Sequence, residues 1–291
     1  MIKMKLIETM PHSNLLEVNL DKCILEISLN RIDVFNALNP ELIQELINIF
    51  SWAANNSAAT ANSLVSDSGE ILPRVIILKG NGKHFCAGAD INWMKNSGEY
   101  TLEENQKDAQ KLDELFYGIW SNPCFTIGLV KGVALGGGAG LVACLDHVIA
   151  MDGSKIAMSE IKLGILPAVI GPYVYRRLGS AQFRRLAMLG SRINTDEALR
   201  IGFIDEIAKD ETDLSINCDK IISQILTSAP SAIEQAKFLC KTFDDWNENM
   251  KELRDYTLKT TSVMRGGKEG QEGLGAFIER RDPEWHVNNE E

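Results

Sequence analysis

Residues 124–151 read CFTIGLVKGVALGGGAGLVACLDHVIAM, and this run decides the fold class. Cys124 to Val130 suits a strand, and the glycine-rich stretch 132–140 breaks it. Leu141 to Leu145 then makes a short helix and His147 to Met151 a further strand. Upstream, Cys23 to Leu29 (CILEISL) alternates apolar and polar residues with period two, as a strand does. Arg74 to Lys79 (RVIILK) is an apolar run that suits a strand buried on both faces. Between these two, Asn39 can cap a helix that takes Pro40 in its first turn. Its apolar stripe is Leu42, Ile43, Leu46, Ile47 and Phe50. A long amphipathic segment covers Leu102 to Trp120. Strands alternating with helices predict an α/β core with parallel pairing.

The flanks read differently. From Ala53 to Gly69 the chain is mostly Ala, Asn, Ser and Thr, which predicts a surface loop with no core to contribute. Beyond Ala168 the pattern is mostly helical. Gly179–Ser180 marks the end of one helix and the cap of the next, and Asn194 to Arg200 is another, closed by Gly202. From about Asn217 there is little but helix, interrupted at Gly266 to Gly275. The division expected is a core over 1–205 and a helical region over 206–291 that packs on the core or on another subunit.

Thirty Lys and Arg face 40 Asp and Glu in 291 residues, a formal charge of −10, which argues against nucleic acid or an anionic membrane as partner. No run of about 18 apolar residues occurs, and the first dozen residues carry no targeting pattern. Cysteines at 23, 86, 124, 144, 218 and 240 have no regular spacing and read as reduced core thiols of a cytoplasmic protein.

Two glycine-rich segments carry the chemistry, Ala87-Gly88-Ala89-Asp90 and Gly136 to Gly140. Each can present backbone N–H groups to a polarised oxygen, and the second also opens a short helix whose positive end adds to the effect. Two such donors on one carbonyl oxygen make an oxyanion hole. Gly138 to Ala143 also fits G-x-G-x-x-A, with Glu160 twenty residues past Gly140. Leu141 to Asp146 is nevertheless too short for the crossover helix that a dinucleotide fold needs. The histidines at 12, 84, 147 and 286 are scattered, so no metal site is expected. His84 reads as a surface or supporting residue, and Asp146–His147 as a cap or buried hydrogen bond. Arg176-Arg177 and Arg184-Arg185 fit phosphate or, at helical spacing, solvated faces and salt bridges. Glu160 sits in the apolar run MSEIKLG leading to Pro167. A carboxylate so flanked is desolvated, which raises its pKa and suits general acid–base work; pairing with Lys162 or capping a turn is the other reading.

HFCAGADINWM, KGVALGGGAGLVACLDHVIA and MSEIKLGILPAVIGPYVYRRLG resemble the crotonase (enoyl-CoA hydratase/isomerase) superfamily. The likeness runs in order from about Cys23 to Arg281 and includes RIDVFNALN and EGLGAFIERR. It implies a spiral of ββα turns with two roughly perpendicular sheets, and C-terminal helices that drive trimerisation. It also implies a homotrimer or dimer of trimers acting on an acyl-CoA thioester, with coenzyme A as part of the substrate and no separate cofactor. By motif position the thioester oxygen falls to the amides of Ala87 and Gly137, and the proton shuttle to Glu160. Substrate and CoA contacts fall to Ala37, Lys83, Gly88, Ala89, Asp90, Gly136, Gly140 and Arg280. One departure stands out: where two-glutamate hydratases read GGG-x-E, this chain has Gly140. The sequence looks most like bacterial methylglutaconyl-CoA hydratases, which pair that glycine with the single later glutamate. The implied reaction joins 3-methylglutaconyl-CoA and 3-hydroxy-3-methylglutaryl-CoA in leucine degradation. The distal carboxylate would use the space Gly140 leaves open, with Lys95 and Tyr173 as anchors. The alternatives are a Δ3,Δ2-enoyl-CoA isomerase and a non-catalytic acyl-CoA binder.

Overall fold

The structure, a computed structural model, describes residues 9–244 and 250–287. Residues 1–8, part of the stretch without a targeting pattern, and 245–249 and 288–291 of the helical region lie outside the described residues. Six strands form the larger sheet: β1 (Leu16–Asp21), β2 (Ile24–Leu29), β3 (Val75–Gly80), β4 (Phe125–Val130), β6 (His147–Met151) and β9 (Glu206–Ala208), side by side in that order. β1 and β2 are an antiparallel hairpin and every other pairing is parallel. A smaller sheet pairs β5 (Val133–Leu135) with β7 (Lys155–Ala157) and β7 with β8 (Ile193–Asn194).

RVIILK is buried on both faces, as its composition requires. Ile76 and Leu78 of β3 enter a core shared with α1 (Pro40–Asn55), α4 (Leu102–Trp120), α5 (Gly137–Cys144) and α6 (Gly171–Leu189). Val75 and Ile77 point the other way, against Leu214, Cys218, Ile222 and Leu226 of α8 (Glu211–Leu226). Asn39 caps α1 by accepting from the Leu42 N–H at 2.9 Å, with Pro40 in the first turn. Gly179, at φ +72°, kinks α6 where a helix end was expected.

Three expectations need correction. The division at residue 205 cuts through the larger sheet, because β9 is its edge strand and α8 seals its second face. The Ala53–Gly69 stretch is not a coreless loop: α1 continues to Asn55, and α2 (Ala58–Ala61) follows with Ala53, Ser57, Ala58 and Ala59 buried. Its small residues let α2 lie close against α9 (Pro230–Asp244), so a composition that looks like a surface loop packs as a contact. Nor do the glycines at 266–275 interrupt the helices for long. α10 (Met250–Gly266) gives way at once to α11 (Lys268–Glu279). Gly270 allows close approach inside it, since a Cβ there would come within 2.1 Å of the Met264 carbonyl.

Arg74 ties this region to the core. Its buried guanidinium donates to the carbonyls of Trp285 (2.7 Å), Ser228 (2.8 Å) and Leu226 (3.2 Å). Arg74→Met would leave three buried acceptors without donors, and we expect a loss of about 2–4 kcal/mol in urea unfolding.

Candidate active site

The loop after β3 is held between two other segments. On one side Phe85 and Cys86 pair with the start of β5: the Cys86 N–H donates to Val133 and the Leu135 N–H to Cys86, both at 3.0 Å. On the other side the loop meets residues 35–38. The Leu38 N–H donates to the Gly88 carbonyl (2.7 Å) and the Asp90 N–H to the Leu38 carbonyl (2.8 Å). This is a parallel bridge between Leu38 and Ala89. In that pattern the groups flanking Ala89 bind Leu38, and the N–H of Ala89 itself turns to the opposite side. Gly88 makes the turn at φ +97°, where a Cβ would lie 2.8 Å from the Leu135 carbonyl.

β5 leads into Gly136, at φ +49°, and then into α5. Among the described residues no side chain caps this helix, so its first amides are left open. Past β7, Glu160 begins a single 3₁₀ turn (Glu160–Leu163) and lays its carboxylate against Gly136; a Cβ on Gly136 would be 3.2 Å from Oε1. Glu160 Oε2 is buried and has no hydrogen-bond partner among the described residues. Burial pushes the Glu160 carboxyl up from its ordinary value, opposed only by its own backbone N–H.

These pieces meet in one cleft of about 250 Å³. Its floor is Leu38, Ala89, Gly137 and Glu160, one wall is Ile165 to Ile170, and the other is built by α3 (Ile91–Ser97) and α4. Among the described residues the N–H groups of Ala89 and Gly137 donate to no acceptor. The N–H of Ala87 donates to the Phe35 carbonyl at 3.0 Å. This corrects the assignment of Ala87 as an oxyanion donor: its amide holds the loop together, and the amide two residues on is the free one.

Other expected site residues fall elsewhere. Asp90 is nearly buried and caps α3, accepting from the Asn92 N–H and pairing with Arg31, both at 2.9 Å. Burial alone would raise its pKa, but Arg31 and the Asn92 N–H outweigh it and hold the carboxyl below the usual range. Asp90 therefore builds the loop and is not free for substrate. Gly140 does not open a space. A Cβ on it would lie 2.4 Å from Ile170 Cγ2 and 3.0 Å from Phe116 Cε1. Tyr173 is buried against the rings of Phe116 and Trp120, and Lys95 is exposed; neither lines the cleft. Ala37 is buried, with its carbonyl accepting from Arg31, whereas Lys83 and Arg280 are exposed and outside the cleft. Arg177 pairs with Asp205 and Arg185 with Glu197, salt bridges that tie α6 to the chain after it. Asp146 accepts from the Thr126 N–H and hydroxyl and pairs with Lys237, the buried-bond role expected of it.

One ionisable cleft residue had not been expected from the sequence. Asp108 is half-buried and lines the cleft from α4. The signal for it was available: it stands three residues after Asn105 and four before Leu112, on the inward stripe of a helix whose other charges point out.

A family model described as enoyl-CoA hydratase/isomerase matches residues 19–288. The crotonyl-CoA hydratase of Syntrophomonas wolfei is 30% identical over 87% of this chain and 90% of its own. The crystal structure of an enoyl-CoA hydratase from Shewanella pealeana superposes with a TM-score of 0.84 at 33% identity, covering 94% of this chain and 96% of that one. An enoyl-CoA hydratase/isomerase from Marinobacter aquaeolei gives 0.83 at 30% identity, covering 94% and 99%. By sequence, by fold and by the match over nearly its full length, the chain belongs to the enoyl-CoA hydratase/isomerase (crotonase) family.

Proposed function

We propose that this protein adds water across the 2,3 double bond of an enoyl-CoA thioester, and removes it in reverse. One observation carries the reading: two amides without acceptors among the described residues, Ala89 and Gly137, share a cleft with a desolvated carboxyl, Glu160. The thioester oxygen gains negative charge as the enolate forms, and the two N–H groups meet it there, each worth about 3 kcal/mol of barrier. Glu160, whose carboxyl burial pushes toward the protonated form, delivers a proton to C2. The CoA contacts at Ala37, Lys83 and Arg280 extend from the family resemblance. Exposed Leu258 and Val263 on α10, with Leu274, Phe277 and Ile278 on α11, support self-association through the C-terminal helices. Five buried free thiols support a reducing compartment, the cytoplasm.

The finer substrate, 3-methylglutaconyl-CoA, rests on motif likeness. The cleft's described lining holds no Lys, Arg or His for a distal carboxylate. Loss of the conjugated enoyl absorbance, measured with 3-methylglutaconyl-CoA and crotonyl-CoA side by side, tests both levels. Turnover of either supports the hydratase, and faster turnover of the former supports the finer reading. Absorbance that only appears, from a 3-enoyl thioester, replaces hydration with isomerisation.

The two candidate amides separate by backbone ester substitution. Exchanging the Ala89 N–H for an ester oxygen should lower kcat by about 10²–10³-fold. The same exchange at Ala87 should cost about 1 kcal/mol of stability and little rate, because that N–H serves Phe35. Equal rate losses at both positions would count against the assignment.

A further inference from the structure

Hydration moves two protons: C2 takes one, and the water attacking C3 must lose one. Glu160 accounts for the first. The place after the glycine run, where a second carboxylate would stand, is closed by Ile170 and Phe116. A carboxylate on α4 lines the same cleft. Among the described cleft residues, Asp108 is the only ionisable group besides Glu160. Two other polar side chains of its wall, Asn105 and Ser97, are engaged. The Asn105 amide donates to the carbonyls of Ser97, Tyr100 and Thr101, and the Ser97 hydroxyl donates to Met94. Nearby on α4, Glu104 is tied to Thr101 and Lys111 to Glu114, while Lys107 pairs with Glu103. From α3 comes the Trp93 indole N–H, which is buried and completes no hydrogen bond among the described residues.

We propose that Asp108 is the second acid–base group of the site, taking the proton from the water that attacks C3 while Glu160 protonates C2. The assignment rests on the enoyl-CoA reading above. In the addition, the water oxygen forms a bond to C3 and the π electrons of the double bond move onto the thioester oxygen as the enolate. They return to form the C2–H bond with the proton of Glu160. Asp108 leaves the cycle protonated and Glu160 ionised, and exchange with solvent restores both. The surroundings suit this division. Burial pushes both carboxyls up, but at Asp108 the Trp93 indole opposes it and favours the charged form, whereas Glu160 has only its own backbone N–H.

Full-length wild type, Asp108→Asn, Asp108→Glu and Glu160→Gln are compared by two readouts: hydration of crotonyl-CoA across pH, and solvent deuterium exchange at C2 of saturated butyryl-CoA. For Asp108→Asn the expected result is a fall in hydration of about 100-fold, at least ten times larger than its fall in exchange. The acidic limb of its pH profile should vanish, and Asp108→Glu should recover part of the rate. Glu160→Gln should lose both reactions. Hydration by Asp108→Asn at the wild-type rate with an unchanged profile would overturn the proposal, as would equal losses in both readouts. Absence of both reactions in the wild type removes the enoyl-CoA reading itself, and the role of Asp108 with it.

Discussion

Glu160→Gln should bind acyl-CoA and fold, yet lose hydration by about 10³-fold or more, the upper part of what general acid–base groups contribute. Gln matches the volume and polarity of the acid but cannot release a proton to C2. The amides of Ala89 and Gly137 remain, so the enolate cradle and the thioester contact are untouched. The same variant has a signature in stability. Folding raises the Glu160 pKa, so the fold favours the protonated form. That advantage is complete below the ordinary carboxylate range and is lost as pH rises through the raised value. Gln carries no charge to desolvate. Its melting temperature should therefore exceed wild type at pH 8, by about 1–2 °C after allowing for the partial exposure of the site, and match it at pH 4. Wild-type turnover would remove Glu160 from the mechanism. A variant less stable at pH 8 would show that the carboxylate is not strained by burial.

Gly140→Glu should fail to reach the native fold, or lose about 4 kcal/mol or more. The residue lies within α5, and even a Cβ would enter the space of Ile170 and Phe116. A carboxylate behind that Cβ would be driven into a packed apolar core. Gly140→Ala isolates the steric part, at about 1–3 kcal/mol. Combining it with Ile170→Ala should give a favourable coupling in a double-mutant cycle, because each change relieves the other. Denaturant unfolding reads all four proteins. A stable Gly140→Glu enzyme with faster hydration would restore the idea that this glycine leaves room for water.

Strands β2, β3, β4 and β6 and helix α1 were legible in the sequence because their apolar pattern is sustained over five residues or more, whereas β5, β7, β8 and β9 are two or three residues long and β1 went unread. RVIILK has cores on both faces and reads as such. Glu160 was legible because a carboxylate among apolar residues has few structural reasons to be there. Ala89 was harder. Composition marks the glycine turn, but which amide is left free depends on Phe35 and Leu38, some fifty residues away. Asp108 was hidden by its neighbours Glu103, Glu104, Lys107, Lys111 and Asp113, which share the helix and face solvent. Small residues over 53–69 looked like a surface loop because composition does not reveal a partner, and α9 supplies one 170 residues later. The space at Gly140 depended on how closely Ile170 and Phe116 pack against it, which a motif does not show even where it includes Ile170.

A crystal structure of the protein with a bound non-reactive acyl-CoA gives the shortest route to a decision. The thioester oxygen should stand about 2.7–3.1 Å from the nitrogens of both Ala89 and Gly137, with C2 within reach of Glu160 and the Ala87 amide still on Phe35. A thioester oxygen held by Ala87, or lying away from this pair with Glu160 out of reach, would contradict the site.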